Sequence, residues 1–290
     1  MNTRNIETKN FQWTSALTFA YNKEEITKLT GTANDKVING DYTYAVGSAI
    51  NSFYHYKLDG IWQKGEEADA AVFGLKPGSI KINVPDMVRH TDTDGSVYYT
   101  KVNAGGQEIR YDASNTYSVS ADDYQVLGHN SPDWTMGFQN TLTYKDFDLS
   151  IYMYMRWGQM IKYSVLTDYD PTGLNNYPTY FNVWSETNPS NDFPAMDASI
   201  KDKLSYYPGF AALSYVDGSF FKIKNITLGY TMPDKLAKKL GLGKLRVYGT
   251  ITNPFVIAKS HLLKDYDPEM NGGLNYPLTK QLVFGLNLSF

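Results

Sequence analysis

The stretch Trp134-Thr135-Met136-Gly137-Phe138-Gln139-Asn140-Thr141-Leu142-Thr143-Tyr144-Lys145-Asp146-Phe147-Asp148-Leu149-Ser150-Ile151-Tyr152-Met153-Tyr154-Met155-Arg156-Trp157 decides the fold. In its first half Trp134, Met136, Phe138, Leu142 and Tyr144 alternate with Thr135, Gly137, Gln139, Thr141 and Thr143. In its second half Phe147, Leu149, Ile151, Met153, Met155 and Trp157 alternate with Asp148, Ser150, Tyr152, Tyr154 and Arg156. A period of two sends successive side chains to opposite faces of a strand, so each half is a strand with one apolar and one polar face. Lys145-Asp146 leaves room only for a tight turn, which makes the pair a hairpin.

Outward from this hairpin the same pattern recurs. Residues 11–21 set large apolar side chains on odd positions, and the closing stretch sets Leu282, Phe284, Leu286, Leu288 and Phe290 against Val283, Gly285, Asn287 and Ser289. These strands exceed the ~5–6 residues usual in soluble domains and match the ~9–11 needed to cross a bilayer. Asp148, Arg156, Gln139 and Asn287 suit a wet barrel interior, and Trp134, Tyr144, Trp157 and Phe290 stand near strand ends, where interfacial aromatic girdles lie. Connection lengths alternate as well. The Lys145-Asp146 turn contrasts with long polar segments from Lys64 to Tyr124 and from Gly158 to Asp217, which assigns the tight turn to the periplasmic end. The pattern predicts an all-β, antiparallel transmembrane barrel segment with long extracellular loops. A soluble, aromatic-rich, carbohydrate-binding β-sandwich explains the alternation too and stays open at this point.

Two finer features follow from spacing. Residues 233–241 read as a short helix ended by Gly241, joining a strand near residues 221–231 to one near 245–253. Within the first of these strands the apolar phase slips between Ile223 and Ile226, which predicts a β-bulge.

Composition narrows the function classes. Aromatic residues make up 15% of the 290, led by 24 Tyr, which suits a membrane–water interface. The absence of cysteine excludes a disulfide framework and a thiolate zinc site. A net charge of −3 without a basic block argues against nucleic acid as a partner. No run of ~20 apolar residues offers a spanning helix, and Met1-Asn2-Thr3-Arg4-Asn5 is not a signal peptide.

Several ordered motifs carry a family resemblance. Ser219-Phe220-Phe221-Lys222-Ile223-Lys224-Asn225-Ile226-Thr227-Leu228-Gly229-Tyr230-Thr231-Met232-Pro233 closely resembles a segment of the SusC/RagA family of TonB-dependent outer-membrane transporters. Asn253-Pro254-Phe255 stands where that family usually has Asn-Leu-Phe. Asp265-Tyr266-Asp267-Pro268-Glu269 resembles its D-P-E signature. Upstream, Phe53-Tyr54-His55-Tyr56-Lys57-Leu58-Asp59-Gly60-Ile61-Trp62 is similar to the family's F-Y-G-Y-K-x-D-G-I-(F/W), with His55 at the glycine. The resemblance runs from Trp13 to Phe290. It implies the C-terminal strands of a barrel of ~22 strands, residues 1–290 forming that part without signal peptide, N-terminal extension domain or plug. It further implies outer-membrane import of glycan oligosaccharides or peptides, with a SusD-like lipoprotein over the mouth and the TonB complex acting through the missing plug. Such a part is expected not to transport alone. Gly285, Leu288 and Phe290 resemble the C-terminal signal read by barrel assembly machinery, with Val283 where a polar residue is common.

Sites of covalent chemistry are not indicated. His55, His90, His129 and His261 stand in no metal-binding spacing, and Asp122-Asp123 and Glu66-Glu67 read as surface acids rather than a glycosidase pair. The Asp92-Thr93-Asp94-Gly95 stretch lacks a closing Glu for a calcium loop and reads as a solvated turn. No catalytic residue, metal or cofactor is expected. Binding is better supported. The aromatic-rich segment around Tyr169, Tyr177, Tyr180, Trp184, Tyr206 and Tyr207 offers flat faces for cargo or a partner, with loop packing as the competing role.

Overall fold

The computed structural model describes residues 1–29, 31, 36–173, 177–197 and 209–290. These residues are almost entirely antiparallel β-structure, as the alternation predicts, with short helices at Glu67–Val72 and Asp234–Lys239. Their strands, numbered along the chain, fall in two compact units.

The first unit comprises Met1–Lys23, Ser131–Ile161 and Asp217–Phe290. Its core element is one seven-stranded sheet. β1 (Asn2–Glu7), β2 (Phe11–Tyr21), β12 (Trp134–Tyr144), β13 (Phe147–Trp157), β16 (Phe220–Thr231), β17 (Lys244–Ala258) and β18 (Gln281–Ser289) lie side by side in that order. The β12–β13 hairpin turns through Lys145, held at φ 53°, and Asp146. Register keeps like with like. Trp134 stands between Tyr21 and Trp157, and Phe147 between Tyr144 and Tyr230.

The expected bulge is present. Pairing slips between Ile223 and Asn225 on β16, so one extra residue lets Ile223 face with Met153 and Ile226 with Ile151. The expected helix is Asp234–Lys239. Gly241 at φ 72° donates to the Lys238 carbonyl and Leu242 to the Ala237 carbonyl, closing the last turn. Strand β1 was not foreseen. Asn2-Thr3-Arg4-Asn5 is polar on both faces and shows no amphipathic alternation, yet it pairs with β2 at the sheet edge.

A soluble sandwich would require a second sheet against the apolar face. That face is open instead, with Phe19 61%, Leu228 54% and Phe284 78% exposed. One polar break in it is satisfied locally. Asn140, buried at 8% exposure, accepts from Trp13 Nε1 at 3.0 Å and from Ser15 Oγ at 2.8 Å.

The second unit comprises Glu24–Asn130 and Lys162–Val216, the two long connections. It holds a four-stranded sheet in the order β11 (Gln125–His129), β5 (Ser52–His55), β4 (Tyr42–Ala45), β3 (Lys36–Asn39). A meander of β8 (Val88–Thr91), β9 (Val97–Val102) and β10 (Glu108–Tyr111) and a pair of β6 (Lys57–Ile61) with β7 (Ile80–Asn83) complete it. Two short strands, β14 (Met160–Lys162) and β15 (Tyr215–Asp217), pair with each other. Phe53, Ile61, Trp62, Val72, Ile80 and Phe193 lie in this unit's interior, so the long connections carry a core of their own.

Candidate functional site

Two faces of the seven-stranded sheet define what it can do. On the apolar face one row of rings runs Tyr21, Trp134, Trp157, with the tryptophan centroids 5.8 Å apart. A second row runs Phe11, Tyr144, Phe147, Tyr230, with the last two centroids at 4.8 Å. The rows are ten positions apart along β12, which is ~33 Å at ~3.3 Å per residue. A strand tilt of ~40° reduces that to ~25 Å, the height of the lipid-facing band of outer-membrane barrels. The tight turn and the Asp234–Lys239 connection share the second end, and the long connections share the first.

The opposite face is hydroxyl- and amide-rich, with Thr18, Thr135, Gln139, Thr141, Ser150, Asn225, Thr227 and Thr250. Two sets of its charges are paired. Arg246 Nη2 lies 2.6 Å and Nε 3.0 Å from the two Asp148 oxygens, a bidentate pair that crosses over Gly229. Lys222, only 1% exposed, donates to Asp267 and, at 2.9 Å, to Glu269, while Lys224 reaches Glu269 at 2.5 Å. This network ties the segment after β17 to β16 and explains why the two lysines and the Asp-Pro-Glu stretch occur together. Burial raises the Glu269 carboxyl's pKa, but its hydrogen bonds from Lys224 and Lys222 outweigh that and hold it below its ordinary value. Sequence reading named both motifs but not their meeting, since 45 residues separate Lys222 from Asp267.

In the second unit the loop aromatics divide by burial. Tyr169 is 5% exposed and packs against Phe181, Phe193 and Phe210 with centroids 5.1–5.7 Å away. Trp184 is 8% exposed, donates Nε1 to Gln63 Oε1 at 2.9 Å, and lies against Gly78. Tyr180 is half-buried on Phe181, and Tyr177 is exposed. Tyr206 and Tyr207 lie outside the described residues. A cavity of about 350 Å³ borders Trp184, lined among others by Lys64, Lys76, Glu67 and Glu186.

His55, His90 and the acid pairs take structural places. His55 stacks on Tyr124 at 4.7 Å, and burial with the nearby Lys162 ammonium lowers its pKa against the pull of Asp41. His90 bonds Thr100 Oγ1 at 3.0 Å. Asp123 is fully buried, bonded to Lys101 and to Tyr117 OH at 2.8 Å, and Glu66 accepts from Lys81 at 2.9 Å. In the Asp92–Gly95 turn Asp94 accepts from the Ser96 amide at 2.9 Å and Gly95 sits at φ 86°. Among the described residues no group of three His, Cys, Asp or Glu gathers as a metal site.

In the closing strand Gly285 lies under the Tyr248 ring across the ladder, where a Cβ would collide with it. Leu288 pairs with Leu245 on the apolar face, and Phe290 is 93% exposed.

No family model matches the chain. Comparison with known proteins finds it 26% identical, over its whole length, to TonB-dependent receptor P3 of Formosa agariphila and 27% identical to TonB-dependent receptor SusC of Bacteroides thetaiotaomicron. The whole chain also superposes on the structure of the RagAB peptide transporter with a TM-score of 0.70 at 25% identity. The chain spans 26–28% of the length of these proteins.

Proposed function

This chain is related over its whole length to the SusC/RagA-type TonB-dependent receptors, and on that premise we propose that it forms part of the wall and mouth of an outer-membrane importer. The observation that carries this reading is the two-faced sheet, open and apolar between two aromatic rows on one side and polar on the other. Lipid covers the first face and the second lines the lumen. Cargo is a glycan oligosaccharide or a peptide, recognised outside by the loop unit, where Tyr177 and Tyr180 present accessible ring surface and Tyr169 and Trp184 hold the loops in shape. A SusD-like lipoprotein caps the mouth, and the TonB complex drives opening through a plug supplied by the rest of the receptor. Gly285, Leu288 and Phe290 serve as the assembly signal. Transport of this kind is gating by differential contacts and involves no covalent step.

These 290 residues contain no cysteine, so topology is testable in a full-length receptor once any cysteine elsewhere is replaced by Ser. Asp94→Cys, in the β8–β9 turn, is expected to react with a membrane-impermeant maleimide on intact cells, whereas Asp146→Cys reacts only after the outer membrane is opened. Equal labelling at both positions, or recovery of the receptor in the soluble periplasm, would overturn the reading. Tonb-dependent uptake of labelled oligosaccharides and peptides, compared side by side, decides the cargo.

A further inference from the structure

On the apolar face, next to the second aromatic row, lies a groove of about 490 Å³. Its walls include Leu228, Tyr230, Val247, Phe284 and Leu286, and its floor is Gly249. Gly249 pairs with Leu228 on one side and Phe284 on the other, so the missing side chain leaves a furrow between two exposed apolar ridges. From this furrow β16 and β17 run on to the Asp234–Lys239 helix that joins them.

That helix is amphipathic and unpartnered. Leu236 and Leu240, one turn apart, are 48% and 64% exposed, and Ala237 is its buried contact. Lys235, Lys238 and Lys239 are exposed, and among the described residues none of their ammonium groups has an ion-pair or hydrogen-bond partner. Asp234, Asp146 in the neighbouring turn and the Phe290 carboxyl beside Gly243 are the opposing acids, and with Lys145 and Lys244 also at this end the rim stays net positive. Leucines beside lysines on a short helix at a strand end form an interfacial element, apolar side in the acyl region and ammonium groups at headgroup level.

We propose that this furrow and the lysine rim together bind one anionic phospholipid of the inner leaflet. One acyl chain lies along Gly249 and the phosphate meets Lys235, Lys238 and Lys239. The inference rests on the outer-membrane reading above, which assigns this end to the periplasmic side. Charge complementarity selects an anionic headgroup, and the furrow selects a lipid over a free phosphate.

The test uses the full-length receptor purified in detergent and returned to nanodiscs of phosphatidylethanolamine and phosphatidylglycerol, with bound lipid counted by native mass spectrometry. The wild type is expected to retain phosphatidylglycerol in preference to phosphatidylethanolamine. Replacing the three lysines by Gln removes roughly fivefold in affinity for each, on the order of a hundredfold together, and abolishes that preference. Gly249→Leu fills the furrow, since the nearest atoms to a Cβ there are the Phe284 ring at 3.4 Å and the Val283 carbonyl at 4.0 Å, and lowers retention of both lipids. Equal retention of the two lipids by the wild type, or no change in either variant, overturns the proposal. A receptor that needs no detergent at all refutes the membrane reading instead. A folded, detergent-dependent receptor without lipid preference refutes only this one. If Gly249→Leu fails to fold, the lysine variant, exposed throughout, still decides.

Discussion

At Gly229 the space a side chain would fill is occupied by the Asp148–Arg246 pair, which reaches from β13 to β17 across the intervening strand. Gly229→Val is expected to push the pair apart and overpack the polar face, costing about 1–3 kcal/mol. Urea midpoints of the refolded receptor measure it, and Asp148→Asn/Arg246→Gln in the same background should recover part of the loss. Lys222 is the second residue with a large expected effect. Lys222→Met leaves Asp267 without its lysine while Glu269 keeps Lys224, and breaking a buried pair of this kind costs about 3–5 kcal/mol. Limited proteolysis within residues 259–280 reports the release. Because Glu269 titrates below its ordinary value of 4.5, its contribution is complete above that value and is lost as pH falls through the lowered one. Protease sensitivity of the segment is therefore expected to be flat near neutrality and to rise only in acid below pH 4.5. A rise between pH 6 and 8 would implicate another group.

Strand β16 shows how one element serves two environments. Ile226 points to the apolar face between the aromatic rows and Thr227 to the polar face. Ile226→Arg is expected to destabilise the folded receptor by about 2–4 kcal/mol, the midplane value, and Thr227→Arg by clearly less, because the polar face accepts a charge. Equal costs in vesicle-refolding titrations would mean the faces are misassigned. Much of this element was legible beforehand. The alternation, the bulge between Ile223 and Ile226 and the helix after Pro233 are all local consequences of side-chain spacing. Strand β1 was not, because an edge strand needs no amphipathic pattern when its neighbour β2 supplies the pairing.

At the scale of the molecule, the seven-stranded sheet ends in two edges, the outer sides of β1 and β18. Lipid offers no hydrogen bonds to an open edge, so a spanning sheet of this kind requires further strands. Cells expressing only these 290 residues are expected to show no uptake above the vector control, while the full-length receptor restores it. Uptake by the short chain would sink the view that it works as a part. The fold of the long connections into a unit with its own core also belongs to this scale. It places Tyr169 and Trp184 inside and leaves Tyr177 outside, a division that counting loop aromatics does not reveal.

The residue order by itself determined the strands, their two faces, the tight Lys145-Asp146 turn and the family motifs, because each depends on neighbours within a few positions. Only the tertiary structure decided that Lys222 meets Asp267, that Arg246 meets Asp148 over Gly229, and that Gly249 opens a furrow above a lysine-bearing helix. Those contacts join residues far apart in the chain. Register and packing bring them together, and spacing along the chain does not encode which partners will meet.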